Sequence, residues 1–152
     1  DGWADDVRVK VERLFRALEP SRVEWSLGRA SQKIKELKRP LLVPSPTFSI
    51  RGLREAHMEF YPDGTNNSPE GKAVLRIFMP PGAEVRYHCW IGRTLSGSQE
   101  YKGNALTVDL LFDKGWKDHI RQDGSLNIGL EVLKDRNNTD ESLSRDVQIE
   151  TD

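Results

Sequence analysis

Residues 58–64 read MEFYPDG, and this stretch decides what kind of structure the chain builds. Apolar and polar side chains alternate up to Tyr61, which is the pattern of a half-buried strand. The strand stops at Pro62-Asp63-Gly64, because proline presets φ and glycine permits the left-handed conformation of a tight turn. Glu59 and Tyr61 are two residues apart, so they share one face of this strand.

Other segments on both sides of this stretch also read as strands. RVEWSL (residues 22–27) alternates strictly, and AVLRIFM (73–79) is nearly continuous apolar, as in a strand covered on both faces. EVRYHCWI (84–91) follows at hairpin distance after Pro80-Pro81-Gly82. Residues 41–50 contain two prolines, so we expect them at a sheet edge, becoming a strand at 47–50. Further strands are predicted over residues 105–112, 125–133 and 146–150.

Short strands separated by turn residues, with one helix in front, indicate an all-β fold. We expect seven or eight strands in an antiparallel β-sandwich over residues 21–152. Residues 94–104 are predicted to form a mobile loop. Residues 31–40 are basic and are expected to form either a short helix or an ordered loop.

The N-terminal segment, residues 1–20, is predicted to be a helix that ends at Pro20. Its apolar residues recur three and four apart and form one stripe. This stripe includes Trp3, Val7, Val11, Leu14 and Leu18. A helix of this length is marginal alone, so the stripe either packs on its own domain or is the end of a coiled coil.

The composition excludes several classes of protein. The 152 residues suit a single domain, and 23 basic against 24 acidic residues give a net charge of −1, which offers no general attraction for nucleic acid. No apolar run approaches the roughly 20 residues that span a membrane. The lone Cys89 excludes an internal disulfide and indicates a reducing, cytoplasmic location. Because the chain begins with Asp1 rather than methionine, we expect it to be a fragment.

The residue patterns do not indicate an enzyme, a cofactor or a metal site. His88 and Cys89 are adjacent in a predicted strand and therefore point to opposite faces. His57, His88 and His119 lack the spacing of metal ligands. The basic residues between 33 and 39 are expected to form a solvated face. Trp116 follows Gly115 and is either a core residue or a ligand anchor.

The order of these segments resembles the MATH (meprin and TRAF homology, or TRAF-C) domain over residues 23–133. The segments that carry the resemblance are VEWSL (23–27), VPSPTFSIRG (43–52), EFYPDG (59–64), AVLRIFM (73–79), EVRYHCWI (84–91), DKGWKDHI (113–120) and LNIGLEVL (126–133). SPTF followed by YPDG at this spacing is the most specific part of the match.

The resemblance implies a protein that binds an extended peptide along a sheet edge. The residues that fall at the family's groove positions are Glu59, Tyr61, Arg76, Cys89, Lys114 and Trp116. Two of them depart from the family. Arg76 replaces a usual aromatic residue, and Glu59 stands where members that favour acidic peptides often have a basic one. We therefore expect a ligand of mixed rather than acidic charge, with Tyr61 as a solvent-open wall.

In one branch of the family a coiled coil precedes the domain and holds three copies together. Two alternatives remain for Trp3, Val7, Val11, Leu14 and Leu18: they form the end of such a coiled coil and hold a homotrimer together, or they pack on their own domain. The expected function is that of a non-enzymatic protein–protein interaction module. The alternatives are a structural or cytoskeletal assembly component without a peptide groove, and a substrate adaptor of a ubiquitin ligase.

Overall fold

The computed structural model describes residues 3–4, 6–11, 19–136 and 146–152. Residues 3–4 and 6–11 are helical, in agreement with the predicted N-terminal helix. None of the helices in these ranges is long and apolar enough to cross a membrane.

The remaining described residues form mainly β-strands, as the alternating sequence predicts. The elements are β1 (Arg22–Leu27), α1 (Ala30–Glu36), β2 (Val43–Pro44), β3 (Phe48–Ile50), β4 (Leu53–Tyr61), β5 (Lys72–Phe78), β6 (Val85–Ile91), β7 (Thr94–Leu95), β8 (Gln99–Tyr101), β9 (Thr107–Asp113), a 3-10 helix (Lys114–His119), β10 (Leu126–Asp135) and β11 (Asp146–Thr151). Of the two alternatives for residues 31–40, the short helix is the one formed.

The strands form two sheets. Sheet I has the order β11-β1-β10-β6-β7, with β8 also paired to β6. Sheet II has the order β2-β4-β5-β9, with β3 also paired to β4. The expectation of an all-β fold is confirmed.

Both sheets contribute one face to a shared buried cluster. In sheet I, Val23, Trp25 and Leu27 of β1 are fully buried, while the residues between them are partly exposed. In sheet II, Met58 and Phe60 of β4 are fully buried. Residues of both sheets belong to the same core. The period-two alternation therefore leaves each sheet with one core-facing side and one outer side.

Two predictions about connections are wrong. Strands β5 and β6 do not form a hairpin, because β5 pairs with β4 and β9 while β6 pairs with β10, β7 and β8. Pro80-Pro81-Gly82 instead takes the chain from sheet II to sheet I. Residues 94–104 are not a simple loop, since β7 and β8 pair there with β6.

The edges of the sheets also differ from a purely antiparallel arrangement. Strand β11 pairs with β1 in parallel, and the Trp25 Nε1–H donates a hydrogen bond to Thr151 Oγ1 at 3.0 Å. Strand β2, which contains Pro44, lies at an edge of sheet II as predicted.

Candidate functional site

The outer face of sheet II consists of side chains arranged in rows across β4, β5 and β9. One row contains Glu59, Arg76 and Asp109, which are directly paired in register. The next row contains Tyr61, Val74 and Leu111. These residues alternate with core residues such as Phe60 and Leu75, so all of them face away from the core.

Arg76 is the centre of a hydrogen-bonded network on this face. Its Nε and Nη2 donate to the two carboxylate oxygens of Asp109 at 2.7 and 3.0 Å. Its Nη1 donates to the Tyr61 hydroxyl at 3.0 Å, and that hydroxyl donates to Glu59 Oε1 at 2.8 Å. The guanidinium carbon lies 5.1 Å from the centre of the Tyr61 ring. All three guanidinium nitrogens therefore bind groups of the protein itself.

The environment favours the neutral form of Tyr61 and the charged form of Arg76. Burial, together with the hydrogen bond to Glu59, raises the pKa of Tyr61 to about 12. The hydrogen bonds to Asp109 raise the pKa of Arg76 above its ordinary value. At neutral pH the Tyr61 phenol is therefore neutral and the Arg76 guanidinium is charged.

The turn at Pro62-Asp63-Gly64 is a structural corner. Asp63 Oδ2 accepts the Arg39 backbone N–H at 3.0 Å, and Oδ1 accepts from Lys114 Nζ at 2.7 Å. The bond from Lys114 and then the bond from Arg39 lower the pKa of the Asp63 carboxyl. Gly64 has φ +93°, and a Cβ there would lie 2.5 Å from Ser68 Oγ. Only glycine fits this corner.

The structure brings together three of the six predicted groove residues. Glu59, Tyr61 and Arg76 are in direct contact. Lys114 lies at the corner, bound to Asp63.

The other two predicted groove residues face the core. Cys89 is fully buried in β6 of sheet I, where burial raises the pKa of its thiol. Trp116 is also fully buried and contacts Phe60 edge to face, with ring centres 5.2 Å apart. For Trp116, the reading as a core residue is therefore the correct one, and neither residue is part of the outer face.

The accessible surface lies one strand farther across the sheet than predicted. Tyr61 is only 5% exposed, so the expectation of a solvent-open tyrosine wall is wrong. Leu111 of β9 is 50% exposed, and the Asp109 side chain is 37% exposed. Among the described strands, β9 pairs only with β5 and ends sheet II. The sequence signal for Asp109 and Leu111 was the alternation in TVDLLFD (residues 107–113), but this alternation did not reveal that β9 is an edge strand.

The histidines are separate from this face's polar network and from one another. His57 stacks on Phe78, with ring centres 4.1 Å apart. His88 Nε2 lies 3.0 Å from Glu131 Oε1, and His119 Nδ1 accepts the Arg93 backbone N–H. Within the described ranges, no three His, Cys, Asp or Glu side chains are grouped as metal ligands would be.

The predicted oligomerisation stripe is only partly within the described residues. Trp3, Val7 and Val11 are 75%, 42% and 46% exposed. Leu14 and Leu18 lie outside the described residues.

No protein-family model matches this chain, and a search of curated proteins also found no match.

Proposed function

We propose that the protein is a non-enzymatic interaction module, a MATH-like β-sandwich that binds a short linear peptide along β9. The peptide extends sheet II by one strand through main-chain hydrogen bonds, and its outward side chains contact the outer face. An acidic ligand is not expected, because the exposed charged side chains of β9 are the carboxylates of Asp109 and Asp113.

The observation that carries the proposal is that β9 is a seven-residue edge strand with an exposed apolar side chain of its own. An edge strand presents unpaired N–H and C=O groups, which a second extended chain can pair. Leu111 on the same strand is half exposed and offers an apolar contact. Burying a leucine side chain contributes roughly 1.5–3 kcal/mol, which can anchor one residue of a peptide.

Each of the neighbouring residues has a distinct role in this proposal. Glu59, Tyr61 and Arg76 form a hydrogen-bonded network that holds the Asp109 carboxylate in place before a ligand arrives. A side chain that is already fixed loses less entropy on binding. Asp109 and Leu111, on β9 itself, make the direct side-chain contacts.

The N-terminal helix would increase the apparent affinity. Trp3, Val7 and Val11 are four residues apart, share one helix face and are exposed. Association of these faces between copies would place several β9 edges together. Weak binding at single sites then becomes avid through effective concentration.

A matched pair of leucine variants tests the proposal. Leu111→Glu places a charge on the β9 edge, whereas Leu95→Glu makes the same change at another exposed leucine, on β7 of sheet I. Wild type and both variants are used to capture partners from a native lysate, with folding checked by circular dichroism. We expect Leu111→Glu to weaken capture by roughly 1–3 kcal/mol, the range of a modest hot spot. Leu95→Glu should capture as wild type does.

Equal recovery of the same partners by all three folded proteins would rule out the β9 edge as the working surface. The structural or cytoskeletal alternative would then be preferred. A ubiquitin-ligase adaptor would show the Leu111 effect and would in addition co-purify with ligase subunits.

A further inference from the structure

The charges on the outer face of sheet II alternate in sign from strand to strand. The row Glu59, Arg76, Asp109 reads negative, positive, negative across β4, β5 and β9. In another row, the positive Lys72 of β5 is paired in register with the negative Asp113 of β9, and the two side chains form an ion pair. Between them lies the row Tyr61, Val74, Leu111, which carries no charged side chain.

Strand β9 therefore presents acidic, apolar and acidic side chains in succession to whatever lies beside it. Asp109, Leu111 and Asp113 are each two residues apart and lie on the same face. The Asp109, Leu111 and Asp113 positions are all open to solvent, with the Asp113 side chain 82% exposed. A strand added at this edge would place every second side chain opposite these three residues.

We propose that the peptide ligand has the pattern basic-x-apolar-x-basic, a proposal that rests on the proposed function. A lysine or arginine opposite Asp109 continues the alternation of charge in the row Glu59, Arg76, Asp109. Another opposite Asp113 continues it in the row Lys72, Asp113. An apolar residue opposite Leu111 extends the uncharged row Tyr61, Val74, Leu111. The pattern reads the same in both directions, so it holds whether the peptide runs parallel or antiparallel to β9.

Distance explains why Asp109 and Asp113 of β9, rather than Arg76 and Lys72 of β5, determine which charge the ligand carries. Neighbouring strands are roughly 4.8 Å apart, so an added side chain is about twice as far from β5 as from β9. Coulomb energy falls at least as fast as the inverse of distance, and salt screens the longer distance more strongly. Asp109 and Asp113 are on the strand next to the ligand, whereas their ion-pair partners Arg76 and Lys72 come from the strand behind.

Arg76 does not offer an alternative site for an acidic ligand. Its Nε and Nη2 bind Asp109 and its Nη1 binds Tyr61. A peptide carboxylate would have to displace Asp109, which would remain nearby as a repelling charge. An acidic ligand is disfavoured for this reason.

Three peptides of seven residues test the pattern, each acetylated, amidated and labelled for fluorescence anisotropy. The first is Ser-Lys-Ser-Leu-Ser-Lys-Ser. The second replaces both lysines by glutamate. The third, Ser-Ser-Lys-Leu-Lys-Ser-Ser, has the same composition as the first, but its lysines and its leucine lie on opposite faces of a strand. All are measured against the full chain at low salt.

The first peptide should bind roughly tenfold more tightly than the second, because two exposed attractions become two repulsions. It should also bind more tightly than the third. Raising the salt concentration should reduce both differences. In the double variant Asp109→Lys/Asp113→Lys, the order of the first two peptides should reverse.

The control variant Asp118→Lys/Glu150→Lys makes the same charge change at two exposed positions away from the outer face of β9. It should keep the wild-type order of peptides. If Asp109→Lys/Asp113→Lys fails to fold, Asp113→Lys alone, at the most exposed of the three positions, should still reduce the preference.

Equal binding of the lysine and glutamate peptides, or tighter binding of the glutamate peptide, would overturn the pattern but leave binding at the β9 edge in place. The pattern would also be overturned if Asp109→Lys/Asp113→Lys still bound the lysine peptide more tightly than the glutamate peptide. If no peptide binds at millimolar concentration, the pattern is rejected, and the Leu111 and Leu95 variants separately decide the proposed function.

Discussion

Gly129 packs closely against Trp90, because glycine has no side chain and leaves room for the indole ring. The two residues are paired in register between β10 and β6, and they lie on the outer side of sheet I. A Cβ on Gly129 would lie 2.0 Å from Trp90 Cζ2. The Arg22 guanidinium covers the indole from above, 4.2 Å from its centre. Trp90 is therefore buried, although it is not part of the core between the sheets.

Replacing Gly129 by alanine tests this contact. The added methyl must displace the indole, so the free energy of unfolding should fall by about 1–3 kcal/mol, the usual cost of overpacking. Combining it with Trp90→Leu should remove most of that penalty. Denaturant titration of each protein measures the effect.

Gly115→Ala is the matched control, because a Cβ at Gly115 meets no atom within 4 Å. It should change the stability by no more than about 0.5 kcal/mol. A Gly129→Ala protein as stable as wild type would mean that Trp90 moves aside without cost.

At the scale of single elements, the two edges of sheet II differ in whether another strand can join them. Strand β2 has two residues, and Pro44 cannot donate a main-chain hydrogen bond. Strand β9 has seven residues without proline. Short strands and prolines are common ways of protecting a sheet edge, and β9 has neither. The element that can be extended is therefore the one that carries Leu111.

The N-terminal helix is the other element with a testable surface. If its Trp3, Val7 and Val11 face joins copies, Val7→Glu/Val11→Glu should convert an oligomer to a monomer, since each charge would be buried in the contact. Sedimentation velocity of the full chain measures the change. Val9→Glu is the control, because Val9 is similarly exposed but lies on another side of the helix. A wild type that is monomeric at all concentrations would contradict the proposal.

At the scale of the whole molecule, the two sheets are held together by one core. Trp25 comes from sheet I, and Trp116 lies against Phe60 of sheet II. Both indoles are fully buried. Because the sheets share these contacts, we expect the described β-structure to unfold as one cooperative unit.

Trp25→Ala should lower the free energy of unfolding by about 3–5 kcal/mol, as large-to-small changes in cores do. Hydrogen exchange should show the same loss of protection in β1 and in β5, although only β1 carries the substitution. Trp3→Ala is the control, since Trp3 is mostly exposed, and it should cost less than about 1 kcal/mol. A loss of protection confined to sheet I would mean that the sheets unfold independently.

Several features were determined by the sequence alone, because they depend on local chemistry. Alternation with period two predicted β1 and β4. Proline chemistry predicted that β2 lies at an edge, and Pro62-Asp63-Gly64 predicted the turn. The shared face of Glu59 and Tyr61 also follows from strand geometry alone.

The pairing of the strands and the covering of their faces depend on the tertiary structure. Hairpin spacing suggested that β5 pairs with β6, but β5 lies between β4 and β9. Alternation states which residues share a face, but it does not say what packs on that face. For this reason the sequence pointed to Tyr61 and Trp116, whereas the exposed positions are Asp109 and Leu111. Exposure depends on contacts between segments distant in the chain, and local patterns carry no information about them.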